Sequence, residues 1–346
     1  MKAAVFEGNG KLVLTDRPQP KVMKPTDVLL RVQGVGICGT DLHILQVPPA
    51  HPARLGIIQG HEFTGEVVEV GAAAGEFSPG DQVIVDPHPG CGQCAQCRNG
   101  FPDQCITLIA ASGEPGHPGT IGIFSDGGFA THVIVPFYGL YKLRKHVPTH
   151  LAALAEPLAC VLHSVGKLGV KPGDSVVVLG AGPIGCLFTA VLRAAGASPL
   201  IVAEPSAYRR EKAKQCGATR VVDPTKEDLA AIVREETGDG ADVVVEAVGP
   251  LLVTAMHLAR FAGTVLQFGH DELAEPKVPM KDIIKKELTI RGGFIGRYSF
   301  ARVARILESG ALPLDVVVTH RMPLADVHKG LDLLRKQLAL KVVIEP

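Results

Sequence analysis

The pattern of apolar and polar positions divides the chain into two parts. Residues 1–150 are rich in Val, Gly and Pro and contain short alternating segments at 27–32, 65–70 and 82–85. Alternation of this period between turn residues predicts a β-rich domain of short strands. The first residues, MKAAVFEGNGKLVL, lack an apolar signal core and indicate a strand and a turn.

After about residue 150 the pattern predicts helices that alternate with buried strands. This alternation implies βαβ units and a parallel sheet covered on both faces, an α/β class. The tail after residue 296 is expected to rejoin the first domain. The helices are predicted at 151–168, 184–195, 300–309 and 325–337, and the strands at 175–179, 200–203, 220–222, 242–245, 264–268, 288–290, 315–320 and 341–344.

Composition supports a two-domain protein of the cytoplasm. The 346 residues are 46% apolar and 20% charged, and the formal net charge is zero. The absence of a basic run argues against nucleic-acid and anionic-membrane partners. The uncharged run 175–192 is long enough to span a membrane, but its glycines and proline favour a strand–turn–helix. The eight cysteines, without a signal sequence, are expected to be reduced thiols, some of them metal ligands.

Four cysteines lie in one short stretch with loop sequence on both sides: Cys91, Cys94, Cys97 and Cys105. Three thiols at intervals of three, with a fourth that folds back, match a closed structural Zn²⁺ site of four thiolates. Two disulfides or an iron–sulfur cluster would also use four cysteines. We predict zinc, in a lobe at about 88–106.

A glycine-rich turn follows the Val-rich strand at 175–179. Its glycines suit a tight turn, close approach to a pyrophosphate and helix–strand packing, and the helix N-terminus presents amides to phosphate. Glu204 ends the next strand, nineteen residues past Gly185. A carboxylate there can hold the ribose hydroxyls and repels a 2′-phosphate, so NAD is favoured over NADP, although Arg209 and Arg210 lie close by. One of these arginines could instead stack on the adenine, and Glu204 and Arg209 are both predicted to bind the cofactor. The predicted cofactor-binding residues of this turn are Gly180, Gly182, Pro183, Ile184 and Gly185.

A second set of possible metal ligands consists of Cys38, His61, Glu62 and Glu156. One thiolate, one imidazole and one or two carboxylates would form an open site with a position for a substrate oxygen. Spacing alone does not join residues so far apart, and a lone Cys or His is more often a core or surface residue.

Five motifs in this order resemble those of the zinc-dependent medium-chain alcohol and polyol dehydrogenases, across essentially the whole chain. The resemblance implies a GroES-like catalytic domain at 1–150 and 297–346, a Rossmann domain of doubly wound parallel sheet at 151–296, and an active site between them. It implies a catalytic zinc at Cys38 and His61, with Glu62 as a ligand or exchanging neighbour. The motifs are Cys38-Gly-Thr-Asp-Leu-His43, Gly60-His-Glu62, the four cysteines, Glu156-Pro-Leu158 and Gly180-x-Gly-x-x-Gly185.

The resemblance also assigns roles around the two zinc ions and NAD. Thr40 and His43 would relay the proton of the substrate hydroxyl to solvent, and Asp41 would hold the ring of His61. Further cofactor contacts are expected from Val248 and from segments 265–269 and 292–296, which contain Phe268 and Phe294.

The Glu156 segment and the stretch Asp126-Gly-Gly-Phe-Ala130 resemble the sorbitol and threonine dehydrogenase branch. A polyol oxidised at a secondary hydroxyl is therefore the first expected substrate. L-threonine or a sugar phosphate is the alternative, with Arg297 as a possible anion anchor. A noncatalytic NAD-binding protein and a redox-sensing zinc protein are the rivals from other classes. The family implies a homodimer or homotetramer, with segment 262–293 at the subunit edge.

Overall fold

The computed structural model describes residues 1–114, 117, 119–144, 146–271 and 273–346. The chain forms two compact units. The first contains Met1–Glu156, Arg297–Ser309 and Val318–Pro346, and the second contains Pro157–Gly296 and Gly310–Val317. The strands of the whole chain are, in order, β1 (Lys2–Gly8), β2 (Lys11–Asp16), β3 (Asp27–Gly36), β4 (Glu62–Val70), β5 (Gln82–Val85), β6 (His132–Pro136), β7 (Leu140–Lys142), β8 (Val176–Leu179), β9 (Leu200–Ala203), β10 (Arg220–Val222), β11 (Ala241–Glu246), β12 (Ala259–Gln267), β13 (Thr289–Gly292), β14 (Val318–Pro323) and β15 (Lys341–Glu345).

The α-helices range in length from four to fourteen residues. Four 3₁₀ segments add to them at Pro102–Gln104, Phe137–Gly139, Leu314–Val316 and Leu324–Asp326. The α-helices are α1 (Gly39–Ile44), α2 (Ala95–Arg98), α3 (Ile106–Ser112), α4 (Thr149–Ala152), α5 (Ala155–Leu168), α6 (Pro183–Ala194), α7 (Ala207–Gln215), α8 (Leu229–Thr237), α9 (Leu252–Leu258), α10 (Met280–Lys286), α11 (Phe300–Ser309) and α12 (Val327–Arg335).

The first unit is built on a mixed sheet with the order β14-β15-β3-β4-β5-β7, in which β6 also pairs with β3. β1 and β2 form a separate hairpin. Alternate residues of these strands fill a core that includes the fully buried Leu30, Phe63 and Phe129. The C-terminal strand β15 pairs with β3 through Val343 and Ile344. The end of the chain therefore lies beside the segment that leads to Cys38.

The second unit contains a six-stranded sheet in the order β10-β9-β8-β11-β12-β13. Every pairing in it is parallel. The central strand β8 is buried along its whole length, as expected for a sheet covered on both faces. The predicted α/β class, with a β-rich part and a doubly wound parallel sheet, is confirmed.

Several predicted elements have other bounds in the structure; the strand predicted at 264–268, for example, begins at Ala259. The single helix predicted at 151–168 is two helices, because Pro157 has no amide to donate and its ring would clash with the carbonyl four residues earlier, that of Ala153. The strand predicted at 315–320 starts later, at Val318, after the 3₁₀ turn Leu314–Val316. The uncharged run 175–192 forms β8 and most of α6, and no helix in the described residues combines the length and apolarity that crossing a membrane requires.

Candidate metal centres and dinucleotide site

Two adjacent strands bring together three of the predicted ligands of the catalytic metal. β3 pairs antiparallel with β4, with Gly36 opposite Glu62, so residues that leave β3 lie beside those that enter β4. Cys38 follows β3 and caps α1. The ligand atoms of Cys38, His61 and Glu62 lie within 4.8 Å of one another. Strand register thus places a thiolate, an imidazole and a carboxylate around one point.

The electrostatics at this point favour a cation. Burial alone would lower the pKa of His61, but the Cys38 thiolate, with Asp41 and Glu156, outweighs burial and raises that pKa to about 10. Nδ1 of His61 and Oδ1 of Asp41 lie 3.9 Å apart, and within the described residues neither buried atom has a hydrogen-bond partner. Concentrated negative charge beside an unsatisfied imidazole fits a divalent metal, and thiolate and imidazole donors suit zinc.

Glu62 also has a cationic partner that the sequence analysis missed. Both of its carboxylate oxygens accept hydrogen bonds from Nζ of Lys341, at 2.9 and 2.6 Å, and both side chains are buried. The same ammonium donates to the carbonyl of Ile37 at 3.1 Å. The sequence could have indicated such a pair, because Lys341 opens an apolar strand. A Lys that is buried with such a strand almost always has an anionic partner.

Glu156 lies in the first turn of α5 and is buried. Its charge contributes to the raised pKa of His61, yet it is outside the group whose ligand atoms lie within 4.8 Å. Its role as a ligand stays a prediction.

Thr40 and His43 share α1, and both are half-buried. Oγ1 of Thr40 lies 3.6 Å from Sγ of Cys38, so its hydroxyl is next to the metal set. Residues three apart on a helix occupy neighbouring surface positions, which places His43 on the same side of α1 as Thr40. Asp41, between them, accepts a hydrogen bond from the amide of Cys38 at 2.8 Å and so fixes the turn that carries this thiol.

A buried polar group between β5 and the four cysteines was also missed. The amide of His88 donates to Asp86 at 2.8 Å, and Nε2 of His88 lies 2.9 Å from Oγ1 of Thr120. Burial, together with the charge of His61, lowers the pKa of His88 to about 3, and burial raises the pKa of Asp86 to about 7. His88 is therefore a neutral polar residue at neutral pH. In the sequence it looked like part of a Pro-rich loop.

The four-cysteine lobe has the dimensions of a closed zinc site. The ligand atoms of Cys91, Cys94, Cys97 and Cys105 lie within 4.8 Å of one another, and all four are free thiols. Sγ of Cys91 is 4.0 Å from Sγ of Cys97, and Sγ of Cys94 is 3.9 Å from Sγ of Cys105. Zn–S bonds of about 2.3 Å put tetrahedral sulfurs about 3.8 Å apart, whereas a disulfide requires about 2.05 Å. The separations fit zinc and contradict the disulfide alternative.

Arg297 has a structural partner in the four-cysteine lobe. Its guanidinium donates to both carboxylate oxygens of Asp103, at 2.6 and 2.9 Å, and lies 4.3 Å from the ring centroid of Phe101. Asp103 is buried between the third and fourth cysteines. This pairing engages the guanidinium with the lobe and argues against the anchoring of a substrate phosphate or carboxylate by Arg297, which stays a prediction.

The glycine-rich turn has the shape that a pyrophosphate requires. Gly180 directly follows β8 and has a φ of +93°, a conformation that favours glycine. A Cβ on Gly185 would collide with the carbonyl of Gly180, whereas one on Gly182 would meet no atom within 4 Å. Gly182 caps α6, and Pro183 and Ile184 form its first turn. The turn therefore leaves open space at a helix N-terminus, where phosphate binds well.

Glu204 is buried directly after β9 and faces this turn. Its two oxygens accept hydrogen bonds from the amides of Ala181 and Ser206, each at 2.9 Å. Arg210 is engaged elsewhere, because it donates to the carbonyl of Glu204 at 2.7 Å and pairs with Asp223 at 3.1 Å. Nε of the half-buried Arg209 has no hydrogen-bond partner within the described residues. Arg210, one of the two arginines that could have favoured NADP, is thus paired with Asp223 and the Glu204 carbonyl.

The remaining predicted cofactor contacts follow strands of the second sheet. Val248 follows β11 and is 48% exposed, and Phe294, past β13, is also 48% exposed. Phe268 follows β12, is half-buried and packs edge-on against Phe188, with ring centroids 5.0 Å apart. Apolar side chains that stay accessible at the ends of these strands could contact a bound dinucleotide.

Known proteins resemble this chain along almost its whole length. Residues 24–145 match the alcohol dehydrogenase GroES-like domain, and residues 183–309 match the zinc-binding dehydrogenase family. An L-threonine 3-dehydrogenase of Pyrococcus horikoshii is 38% identical over 93% of this chain and 89% of its own. A D-xylulose reductase A of Aspergillus niger is 32% identical over 98% of this chain and 95% of its own.

The fold is shared with solved structures as well. A protein of Sinorhizobium meliloti 1021 that was assigned as a zinc-binding dehydrogenase, and was crystallised with NADP, superposes with a TM-score of 0.91. It is 33% identical, and the match covers 100% of this chain and 99% of that one. Together with the thiolate–imidazole centre, the four-cysteine lobe and the glycine-rich turn, these matches establish that the chain belongs to the zinc-dependent medium-chain alcohol dehydrogenase family and is a dehydrogenase.

Proposed function

We propose that this enzyme oxidises a secondary hydroxyl of a polyol or sugar alcohol to a ketone, with NAD as the hydride acceptor. The observation that carries this proposal is that two cations of the first unit, one beside the catalytic-metal residues and one in the four-cysteine lobe, are already paired. Lys341 holds Glu62, and Arg297 holds Asp103. The buried polar groups of this unit include the neutral His88 and Thr120, which suit hydroxyl groups better than a substrate carboxylate or phosphate.

Cys38 and His61 would hold the catalytic zinc with Glu156, and Glu62 would be an exchanging neighbour. When bound, zinc supplies a Lewis acid for the substrate hydroxyl, and NAD supplies the hydride acceptor. Oγ1 of Thr40 would accept the hydroxyl proton as it gives up its own, and His43, half-buried on the same helix, would release a proton towards solvent. Glu204 would exchange its bonds to Ala181 and Ser206 for the ribose hydroxyls.

An L-threonine 3-dehydrogenase activity is the second candidate, supported by identities of 34–38% with enzymes of that name. Initial rates of NADH formation with sorbitol, xylitol, arabitol, ribitol, galactitol, a phosphorylated pentitol, L-threonine and 2,3-butanediol separate the candidates. We expect the highest kcat/KM with a polyol, and a lower rate when NADP replaces NAD, because Glu204 repels a 2′-phosphate. L-Threonine as the best substrate would overturn the polyol assignment, and NADP as the preferred cofactor would overturn the role of Glu204.

Replacing Thr40 with Val should remove the first step of the proton relay. We expect kcat to fall by about 10²- to 10⁴-fold, the usual contribution of a positioned acid or base. Thr40→Ser keeps the hydroxyl and is the matched control. Stopped-flow measurements would give the turnover rate, and NADH fluorescence titration would show separately whether the variant still binds the cofactor. Unchanged turnover in the Val variant, with NADH still bound, would remove Thr40 from the mechanism.

We propose that two copies of the chain associate through the exposed edge of the second sheet. β13 is the last strand of that sheet, and all of its residues are exposed. Apolar side chains are also exposed on β12, α10 and β13, namely those of Phe261 (62%), Ile284 (73%) and Ile290 (37%). An unprotected strand edge with apolar neighbours favours pairing with a second copy. Light scattering of the wild type and of Ile284→Lys should then show an oligomer and a smaller species, respectively.

A further inference from the structure

Glu246 is a buried carboxylate that none of the assigned roles uses. It ends β11 and has no exposed surface. Oε1 accepts the amides of Val248 and Gly249 at 2.9 and 2.8 Å, and Oε2 accepts Gly249 again at 2.9 Å and Nε2 of Gln267 at 2.6 Å. The hydrogen-bond donors that reach it from the described residues are therefore neutral N–H groups.

The same contacts tie together the segments that follow two adjacent strands. Nε2 of Gln267, at the end of β12, also donates to the carbonyls of Gly249 and Gly269 at 2.9 and 3.0 Å. The carbonyl of Glu246 accepts the amides of Phe268 and Gly269 at 2.9 and 2.8 Å. One carboxylate and one amide thus fix segments 247–249 and 268–269 against each other.

These segments lie at the edge of the sheet where a dinucleotide binds. The amide of Ala247 donates to the carbonyl of Leu179, the last residue of β8, at 3.0 Å. A Cβ on Gly180 would come within 2.8 Å of Cγ2 of Val248, so segment 247–249 packs against the glycine-rich turn. In open parallel sheets, ligands bind outside the carboxyl ends of the strands. The segments described above follow the carboxyl ends of the neighbouring strands β8, β11 and β12.

We propose that Glu246 is a positioning residue for the dinucleotide. It acts through the backbone of Val248 and Gly249, which it holds in place before the cofactor arrives. A site that is ordered in advance avoids the entropy cost of ordering two or three loop residues on binding. The inference rests on the proposed use of NAD, and the experiment below tests the two separately.

Glu246→Gln is the sharpest substitution, because it keeps the shape and replaces one oxygen by an NH₂ group. That group would face the N–H of Gly249 or the Nε2 of Gln267, two donors that cannot accept its hydrogen bond. We expect the Kd for NADH, from fluorescence titration, to rise by about 10- to 100-fold. The KM for NAD should rise with it, while kcat at saturating NAD and the zinc content stay close to the wild type. Hydrogen exchange of the metal-bound, cofactor-free protein should quicken at 247–249.

Asp242 is the matched control, because it is near the opposite end of the same strand. It accepts the amide and hydroxyl of Ser175 at 2.8 and 2.6 Å and Nε of Arg260 at 2.7 Å. Asp242→Asn should therefore lower the melting temperature without weakening NADH binding. The proposal is overturned if Glu246→Gln binds NADH like the wild type, or if both variants lose affinity in proportion to their loss of stability.

Gln267→Met is a second variant in case Glu246→Gln does not fold. It removes the Nε2 donor and keeps the two backbone donors of the carboxylate, the amides of Val248 and Gly249. We therefore expect a smaller rise in the Kd for NADH, of about 3- to 10-fold. An unchanged Kd in a folded Gln267→Met would count against the proposal. Failure of the wild type itself to bind NADH would instead contradict the proposed use of NAD.

Discussion

Replacing Lys341 with Met should destabilise the metal-free protein by about 3–5 kcal/mol, the cost of leaving one partner of a buried ion pair alone. Lys341 is 3% exposed and Glu62 is 1% exposed, so water cannot take over the role of the ammonium. Both oxygens of Glu62 would lose their shared donor. Urea unfolding of the metal-free protein measures the effect, because a bound cation would give the freed carboxylate another partner.

The double variant Lys341→Met, Glu62→Gln is the control for this prediction. A neutral amide costs less to bury than a carboxylate, so most of the lost stability should return in the double variant. The free energies of the two single variants and the double variant form a mutant cycle, and we expect a coupling energy of about 2 kcal/mol or more between the two positions. Additive effects would show that the pair contributes little to stability.

The sequence predicted those parts of the molecule that depend on local pattern. The strands at 82–85, 200–203 and 220–222 and the helix at 300–309 have the bounds that periodicity indicated. The ligand spacing of the four cysteines and the strand–turn–helix around Gly180 are equally local. Chemistry contained within fifteen residues or so can be inferred from spacing, because short loops leave few ways to arrange it.

The parts that sequence did not predict depend on contacts between distant segments. Lys341 reaches Glu62 across 279 positions, and Arg297 reaches Asp103 across 194. The sequence shows neither pairing, so Arg297 was considered as an anchor for a substrate anion without its partner Asp103 in view. Glu246 was overlooked for a different reason, since most of its hydrogen-bond donors are nearby backbone amides, which no side-chain pattern reveals.

Replacing Cys105 with Ser should remove one of two zinc ions from each chain. Cys105 is 1% exposed and caps α3, and its sulfur lies 3.9 Å from that of Cys94. A hydroxyl does not replace a thiolate as a zinc ligand, so the lobe at 88–106 would keep three of its four donors. Loss of a residue that only hydrogen-bonds a metal ligand lowers metal affinity about 10- to 100-fold, and loss of the ligand itself should lower it further. Elemental analysis after dialysis against a chelator measures the zinc content.

The consequence for stability follows because the lobe is short and loop-rich. α2 has four residues and α3 has seven, with no buried residue on α3, so metal binding is the main source of its order. Protease cleavage within 88–106 should therefore become fast in Cys105→Ser. Cys216→Ser is the control, because Cys216 is also buried but belongs to neither group of metal-ligating side chains in the described residues. That variant should keep both zinc ions and resist cleavage, and equal zinc loss in the two variants would contradict a zinc-held lobe.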